Sequence, residues 1–217
     1  MQNSYLRLKS NEQAKNFNSV LNDLEDAYRI INTIYSVRVI PKLEFPSPVT
    51  LIPTYPDLPM EDVYHRIPET DIRELYLNDS NKGRVAYFHG DIDRTFWQIM
   101  SVDHGKLLRN TILWALNEDP LVEVKGPWII DVTIWRQEHS MTVHLVNFTN
   151  PMMMKGPFRE LIPVDMEVNI KIPRGTKLTA VKLLVKGQKP KYEINSGMVT
   201  LSVSQISDHE IVALDLV

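Results

Sequence analysis

The 217-residue chain contains no cysteine. This excludes disulfide bonds, thiolate zinc sites and cysteine nucleophiles. Glycine is scarce as well, with 8 residues and none before Gly83, although half of the 14 prolines lie between Pro41 and Pro68. The stretch before Gly83 is therefore more typical of connecting structure than of the start of a self-contained domain.

Long apolar runs are missing too. No stretch approaches the roughly 20 apolar residues of a membrane-spanning helix, and the polar segment Met1–Lys9 lacks the apolar core of a signal peptide. The formal net charge of −3 gives no general attraction to nucleic acid or to anionic membranes. We expect a cytoplasmic protein with neither nucleic acid nor membrane as a partner.

Paired metal-ligand spacings are also lacking. The six histidines form no HExxH or similar motif, so we expect no metal site and no cofactor. The segment Asn147-Phe-Thr149 fits the glycosylation sequon, which is a weak pattern in a chain without a secretory signal.

The first 120 residues mix helical and extended patterns. Polar and apolar spacing predicts helices and strands, and Asp103 is a reasonable N-cap for the last helix. The predicted elements are helices at Asn11–Ala27 and Asp103–Leu116 and strands at Ile34–Ile40, Val49–Pro53, Glu74–Leu77 and Arg84–Phe88.

From Val122 onward the apolar period is two. About seven strands follow one another without an intervening helix, separated by turn sequences such as Pro173-Arg-Gly175, Lys186-Gly187 and Asn195-Ser-Gly197. This pattern predicts an antiparallel β-sandwich over residues 121–217, with a domain boundary near residue 120.

The most informative stretch is Gly83–Trp97. A short apolar strand ends at His89-Gly90, and Asp91, Asp93 and Arg94 follow before a helical pattern begins. Open α/β sheets place ligand crevices at such strand ends. The weak candidates for binding are His89, Asp91, Asp93, Arg94 and Trp97; the alternative is a structural loop in which Arg94 is partly buried and paired with one aspartate.

Two further features allow more than one interpretation. Trp97, Trp128, Trp135 and Tyr87 could stack on sugar rings, but tryptophans spaced in this way more often anchor a core or an interface. The run Met152–Met154 is typical of a loop packed into an interface.

The segments 83–97 and 103–110, followed by Val143–Met152, resemble the beta-galactosidase trimerisation domain and the β-sandwich after it, which occur in large bacterial glycoside hydrolase-like proteins. The resemblance implies an α+β chain: a partial, flavodoxin-like (class I glutamine amidotransferase-like) domain over 1–120, then the sandwich. In that family a catalytic (β/α)8 barrel with the paired carboxylates lies upstream, so we expect this chain to be the C-terminal part of a longer protein. Without cysteine, amidotransferase chemistry is excluded.

These observations predict a non-catalytic, assembly-mediating region of a glycoside hydrolase-like protein that forms a homo-oligomer. Asp91 and Asp93 lie too close in one loop to serve as a glycosidase pair. The alternative is a carbohydrate-binding module that uses the Asp91–Trp97 loop or a face of the sandwich. A glycosidase barrel and carbohydrate are the other candidate partners.

Overall fold

The computed structural model describes residues 4–10, 12–54, 67–80, 82–151 and 160–217. The chain divides into two compact units, Met1–Asp119 and Pro120–Val217. The triple methionine and part of the proline-rich segment lie outside the described residues. In the part of the chain that is described, no helix is both long and apolar enough to cross a membrane.

Unit 1 contains five described strands, a 3₁₀ helix and two α-helices. Strands β2-β1-β3 form one antiparallel sheet, and β4 and β5 form an antiparallel hairpin. In chain order the elements are β1 (Tyr5–Leu8), the 3₁₀ helix (Glu12–Leu21), β2 (Arg29–Ile31), β3 (Val49–Ile52), β4 (Leu75–Ser80), β5 (Gly83–Phe88), α1 (Ile92–Ile99) and α2 (Val102–Leu116).

The strand pairings of unit 1 differ from those that a flavodoxin-like fold requires. Only residues 81 and 82 separate β4 from β5, whereas a parallel connection needs a dozen residues or more. All pairings between the described strands are antiparallel. A parallel flavodoxin-like sheet is thus not among the described pairings.

Two predicted elements of unit 1 differ from the structure. The stretch Ile34–Ile40 makes a single bridge, between Ser36 and Gly90, and is not a strand. Its alternating apolar side chains meet solvent, since Val37 and Ile40 are exposed. The predicted helix at Asn11–Ala27 is a shorter 3₁₀ helix, Glu12–Leu21. The N-cap of α2 is Ser101, and Asp103 lies in the first turn.

One apolar core holds unit 1 together. The 3₁₀ helix contributes Val20, the hairpin contributes Leu75 and Leu77, and the α-helices contribute Ile92 and Leu107, all of which are almost fully buried. Each element therefore turns one apolar stripe inward, as amphipathic helices and half-buried strands do.

Unit 2 confirms the predicted antiparallel β-sandwich. Its two described sheets have the strand orders β10-β13-β8-β7 and β11-β12-β9-β6. The strands are β6 (Val122–Lys125), β7 (Ile130–Arg136), β8 (Ser140–Asn147), β9 (Val164–Lys171), β10 (Leu178–Leu183), β11 (Tyr192–Asn195), β12 (Met198–Ile206) and β13 (His209–Leu216).

Alternating side chains of both sheets meet in one core. Val143, Leu145, Val168, Leu201 and Leu214 are among its buried members, and the period of two places their polar neighbours on the outer faces. The turn between β11 and β12 has positive φ at both Ser196 and Gly197, 52° and 79°, which is the type I′ geometry that favours glycine.

Candidate functional site

The hairpin register brings two ionisable side chains together at the open end of the hairpin. Leu75 lies opposite Phe88 in the β4–β5 ladder, so Glu74 and His89 are the next cross-strand pair. Both side chains are buried, Glu74 to 2% exposure. Sequence analysis predicted His89 but missed Glu74. The turn-type residues between β4 and β5 were the available signal, because they predict the hairpin that pairs the two positions.

The contacts of His89 define its protonated nitrogen. His89 Nε2 lies 3.1 Å from the carbonyl oxygen of Arg73 and 3.2 Å from Glu74 Oε2. The carbonyl oxygen can only accept, so Nε2 carries the proton and donates. Burial raises the pKa of Glu74, and the nearby charge of His89 partly opposes this rise.

The Glu74–His89 pair is largely enclosed by the protein. The second histidine nitrogen, Nδ1, and Glu74 Oε1 are both buried and have no hydrogen-bond partner among the described residues. A proton-transferring side chain needs an atom within reach of the substrate, and neither of these atoms contacts the surface. The pair therefore links the two strands at the end of the hairpin.

The residues after His89 are held by backbone contacts. The Asp91 N–H donates to the carbonyl of Tyr35 over 3.0 Å, and Asp91 Oδ1 accepts from the Tyr35 N–H over 2.9 Å. Gly90 lies against buried Thr33, where an added Cβ would overlap the Thr33 hydroxyl. The loop from 89 to 91 is thus fixed against the segment 33–37.

The remaining predicted binding residues lie on the helix that follows this loop. Asp93, Arg94 and Trp97 are on the exposed side of α1. Arg94 Nη1 is 3.8 Å from Asp91 Oδ2, so the expected pairing with one aspartate is confirmed, but Arg94 is 59% exposed and its expected partial burial was wrong. Trp97 is 55% exposed. A binding role for these five residues stays a prediction.

The structure also places the metal-ligand, tryptophan and sequon candidates of the sequence. No group of three or more histidine, aspartate or glutamate side chains in the described ranges is arranged to hold a metal ion. Trp128 and Trp135 are exposed and thus are not core anchors. Asn147, the sequon asparagine, is 1% exposed, and its Nδ2 already donates to three carbonyl oxygens.

The outward face of the hairpin carries an apolar groove. Tyr76 and Tyr87 are directly opposite each other in the ladder, with ring centroids 6.4 Å apart. Together with Phe45, Val85 and the segment 39–41 they line a cavity of about 320 Å³. Tyr87 is 47% exposed and Val85 is 57% exposed, so this sheet face lacks a cover within the described structure.

No protein-family model and no curated protein sequence matches the chain. Among solved structures, the chain is similar to alpha-L-fucosidase isoenzyme 2 from Paenibacillus thiaminolyticus, with a TM-score of 0.68 and 16% identity over 99% of this chain. Two structures of Gan42B, a GH42 beta-galactosidase, one of them a catalytic mutant from G. stearothermophilus, match with a TM-score of 0.36 and 15% identity over 79% of this chain and 18% of theirs. The chain spans about a third (32%) of the fucosidase chain. Its fold is therefore found as one part of a longer glycoside hydrolase.

Proposed function

We propose that the chain is a non-catalytic, assembly-mediating region of a glycoside hydrolase-like protein, in which unit 1 is a reduced relative of the amidotransferase-like trimerisation domain. The fold similarity to one third of a fucosidase supports a place within a longer enzyme. The enclosed Glu74–His89 pair supports a non-catalytic role.

The observation that carries the assembly role is the apolar groove on the outward face of the hairpin. Soluble proteins rarely leave contiguous aromatic and aliphatic surface uncovered, and such surface usually marks an interaction site. Val85, Tyr87 and Ile40 are exposed there, the last to 84%. Aromatic side chains of this kind dominate the centre of protein interfaces.

The occupant that we propose is a second copy of this chain. The groove lies on a two-stranded sheet, and β4 and β5 each pair with no other strand among the described residues. Free sheet edges beside an apolar face promote association between identical chains. The sequence resemblance to a trimerisation domain points to the same occupant.

Light scattering after size-exclusion chromatography tests this proposal. At micromolar concentration, the wild type should have a mass that is a multiple of 25.1 kDa. Tyr87→Glu places a charge in the groove and should give the monomer mass. Ile112→Glu is the matched control, because Ile112 is 64% exposed in the same unit but lies on α2, outside the groove.

Two results would contradict the proposal. A wild type that stays monomeric at all accessible concentrations removes the assembly role itself. An oligomer that persists in folded Tyr87→Glu, or that dissociates equally in Ile112→Glu, removes the groove as its interface. Circular dichroism of each variant separates a lost interface from a lost fold.

A further inference from the structure

A polar cavity lies on the inner side of the hairpin in unit 1. Arg84 and Asp79 are opposite each other in the ladder and alternate with the groove residues Val85 and Asn78, so they belong to the face that packs on the core. The cavity has a volume of about 460 Å³, which is in the range of small-molecule sites. Its walls include Asp23, Glu25, Arg84, Arg109, Asn110 and Trp114.

Two side chains of α2 hold the segment after the 3₁₀ helix as one wall of this cavity. Asn110 is 6% exposed, and its Nδ2 donates to the carbonyl oxygen of Asn22 over 2.6 Å. Lys106 Nζ donates to the carbonyl oxygen of Asp23 over 2.8 Å. The segment 22–25 is therefore fixed against α2.

Arg84 is fixed on another wall, with part of its hydrogen-bonding capacity unused. Its Nε donates to Asp79 Oδ2 over 3.0 Å, and its Nη1 donates to the carbonyl oxygen of Trp114 over 3.1 Å. The guanidinium also lies over the Trp114 ring. A guanidinium has more N–H donors than these two contacts use, and Nη2 has no acceptor among the described residues. The remaining donors form a planar fork of the kind that binds a carboxylate.

The segment 22–25 contributes the negative charges of the cavity. Asp23 and Glu25 both line it and are exposed. Glu25 Oε1 accepts from the Asp23 N–H over 3.2 Å. The Asp23 carboxylate accepts no hydrogen bond from the described residues, so it is the better acceptor for a cationic group of a ligand.

We propose that this cavity binds a free α-amino acid with an aliphatic side chain. The carboxylate of the ligand lies against the fork of Arg84, and its ammonium lies against Asp23. Two arginines and two acidic side chains line the cavity, so a ligand with one charge of each sign matches it better than an ion of a single sign. Leu113 lines the same cavity and suits an aliphatic side chain.

The test is a calorimetric titration of the full-length chain with leucine, aspartate and lysine. Leucine should bind in a saturable way and more tightly than the other two, whose side chains add an unmatched charge. Two derivatives of leucine each lack one charge: leucinol has no carboxylate, and N-acetyl-leucine has no ammonium. Each should bind about ten-fold more weakly than leucine, since each loses a charge-assisted hydrogen bond.

Asp23→Asn is the decisive variant for the ammonium. It removes the charge and keeps the shape, and asparagine accepts the positive φ of 60° at this position. It should weaken leucine binding about ten-fold, so that leucine and N-acetyl-leucine bind alike. Asp26→Asn is the matched control, because Asp26 is exposed directly after the same segment but does not line the cavity. It should leave the affinity unchanged.

Arg84→Lys tests the carboxylate end of the ligand. Lysine keeps the positive charge but cannot hold a carboxylate bidentately. The variant should therefore weaken the binding of leucine more than the binding of leucinol. A purely structural effect of the substitution would weaken both alike.

Several outcomes would overturn the proposal. One is the absence of saturable heat with leucine. Others are binding of leucinol, N-acetyl-leucine, aspartate or lysine as tight as that of leucine, unchanged affinity of folded Asp23→Asn, and an equal loss in Asp26→Asn. The cavity and the apolar groove lie on opposite faces of the hairpin, so Tyr87→Glu should still bind leucine. Failure of this inference is therefore distinguishable from failure of the assembly role.

Discussion

Asn147 connects three parts of the sandwich, and its replacement by aspartate tests how much that connection contributes to stability. Its Nδ2 lies 2.8, 3.0 and 2.9 Å from the carbonyl oxygens of Ile162, Ile206 and Ser207, and its Oδ1 accepts from the Thr149 N–H over 2.9 Å. Asn147→Asp keeps the shape and this acceptor but removes both amide hydrogens.

The expected loss follows from these contacts. Two amide hydrogens serve three carbonyl oxygens, so one hydrogen is shared; losing both removes about 1 to 3 kcal/mol. The three carbonyls would then face a buried carboxylate, whose desolvation adds a cost of a similar size. We expect Asn147→Asp to lower the free energy of unfolding of unit 2 by about 4 kcal/mol at neutral pH, near the upper end for single substitutions.

Hydrogen exchange on the full-length chain measures this loss. Peptides from β8 and from the β12–β13 turn should lose protection, while peptides from α2 in unit 1 serve as an internal control. The loss should shrink as the pH falls, because the protonated carboxyl group can donate once more. Asn195→Asp, at an exposed position, is the control and should change the free energy derived from exchange protection by less than about 0.5 kcal/mol. A loss below about 1 kcal/mol for Asn147→Asp would refute the reasoning.

Three further predictions concern unit 1 and are read from denaturant unfolding. The folded state raises the pKa of Glu74 above 4.5, so the stabilisation from its protonation is present at low pH and is lost as the pH rises through the folded pKa. Relative to Glu74→Gln, the wild type should therefore lose stability above about pH 4.5. Parallel pH profiles of the two proteins would refute this. Arg94→Ala should lower the free energy of unfolding by no more than about 1 kcal/mol. Asp91→Ala removes a hydrogen bond to the backbone and should lower it by more. The reverse order would contradict the geometry. Gly90→Ala should cost about 1 to 3 kcal/mol through overlap with Thr33, and a neutral result would show that the loop can move away.

Much of unit 2 followed from the sequence. The period of two in segments such as Met141–Leu145 is a local signal, because alternate side chains of a strand must point to opposite faces. The turn Asn195-Ser-Gly197 likewise carries its own geometry in residues that accept positive φ. These local rules were sufficient to predict an antiparallel sandwich.

The strand pairing of unit 1 depends on contacts between residues that are far apart in the sequence. The stretch Ile34–Ile40 has the alternation of a strand, but a strand also needs a partner along its length, and this one meets only the loop around Gly90. The helix at Asp103–Leu116 was predicted within one residue of its start because its apolar face is a local pattern. In unit 1, local patterns therefore predicted α2 but not which extended segments pair as strands.

The candidate sites show the same division. His89, Asp91 and Trp97 stand out in the sequence because polar and aromatic residues follow an apolar strand directly. Only the hairpin register could reveal that Glu74 is the partner of His89, or that Arg94 remains in solvent. On the sandwich, the antiparallel register likewise aligns Asn169 with Thr200, more than 30 residues away in the sequence, so that their side chains form a hydrogen bond. Sequence alone determined which residues can hydrogen-bond, and the pairing of strands decided which of them meet.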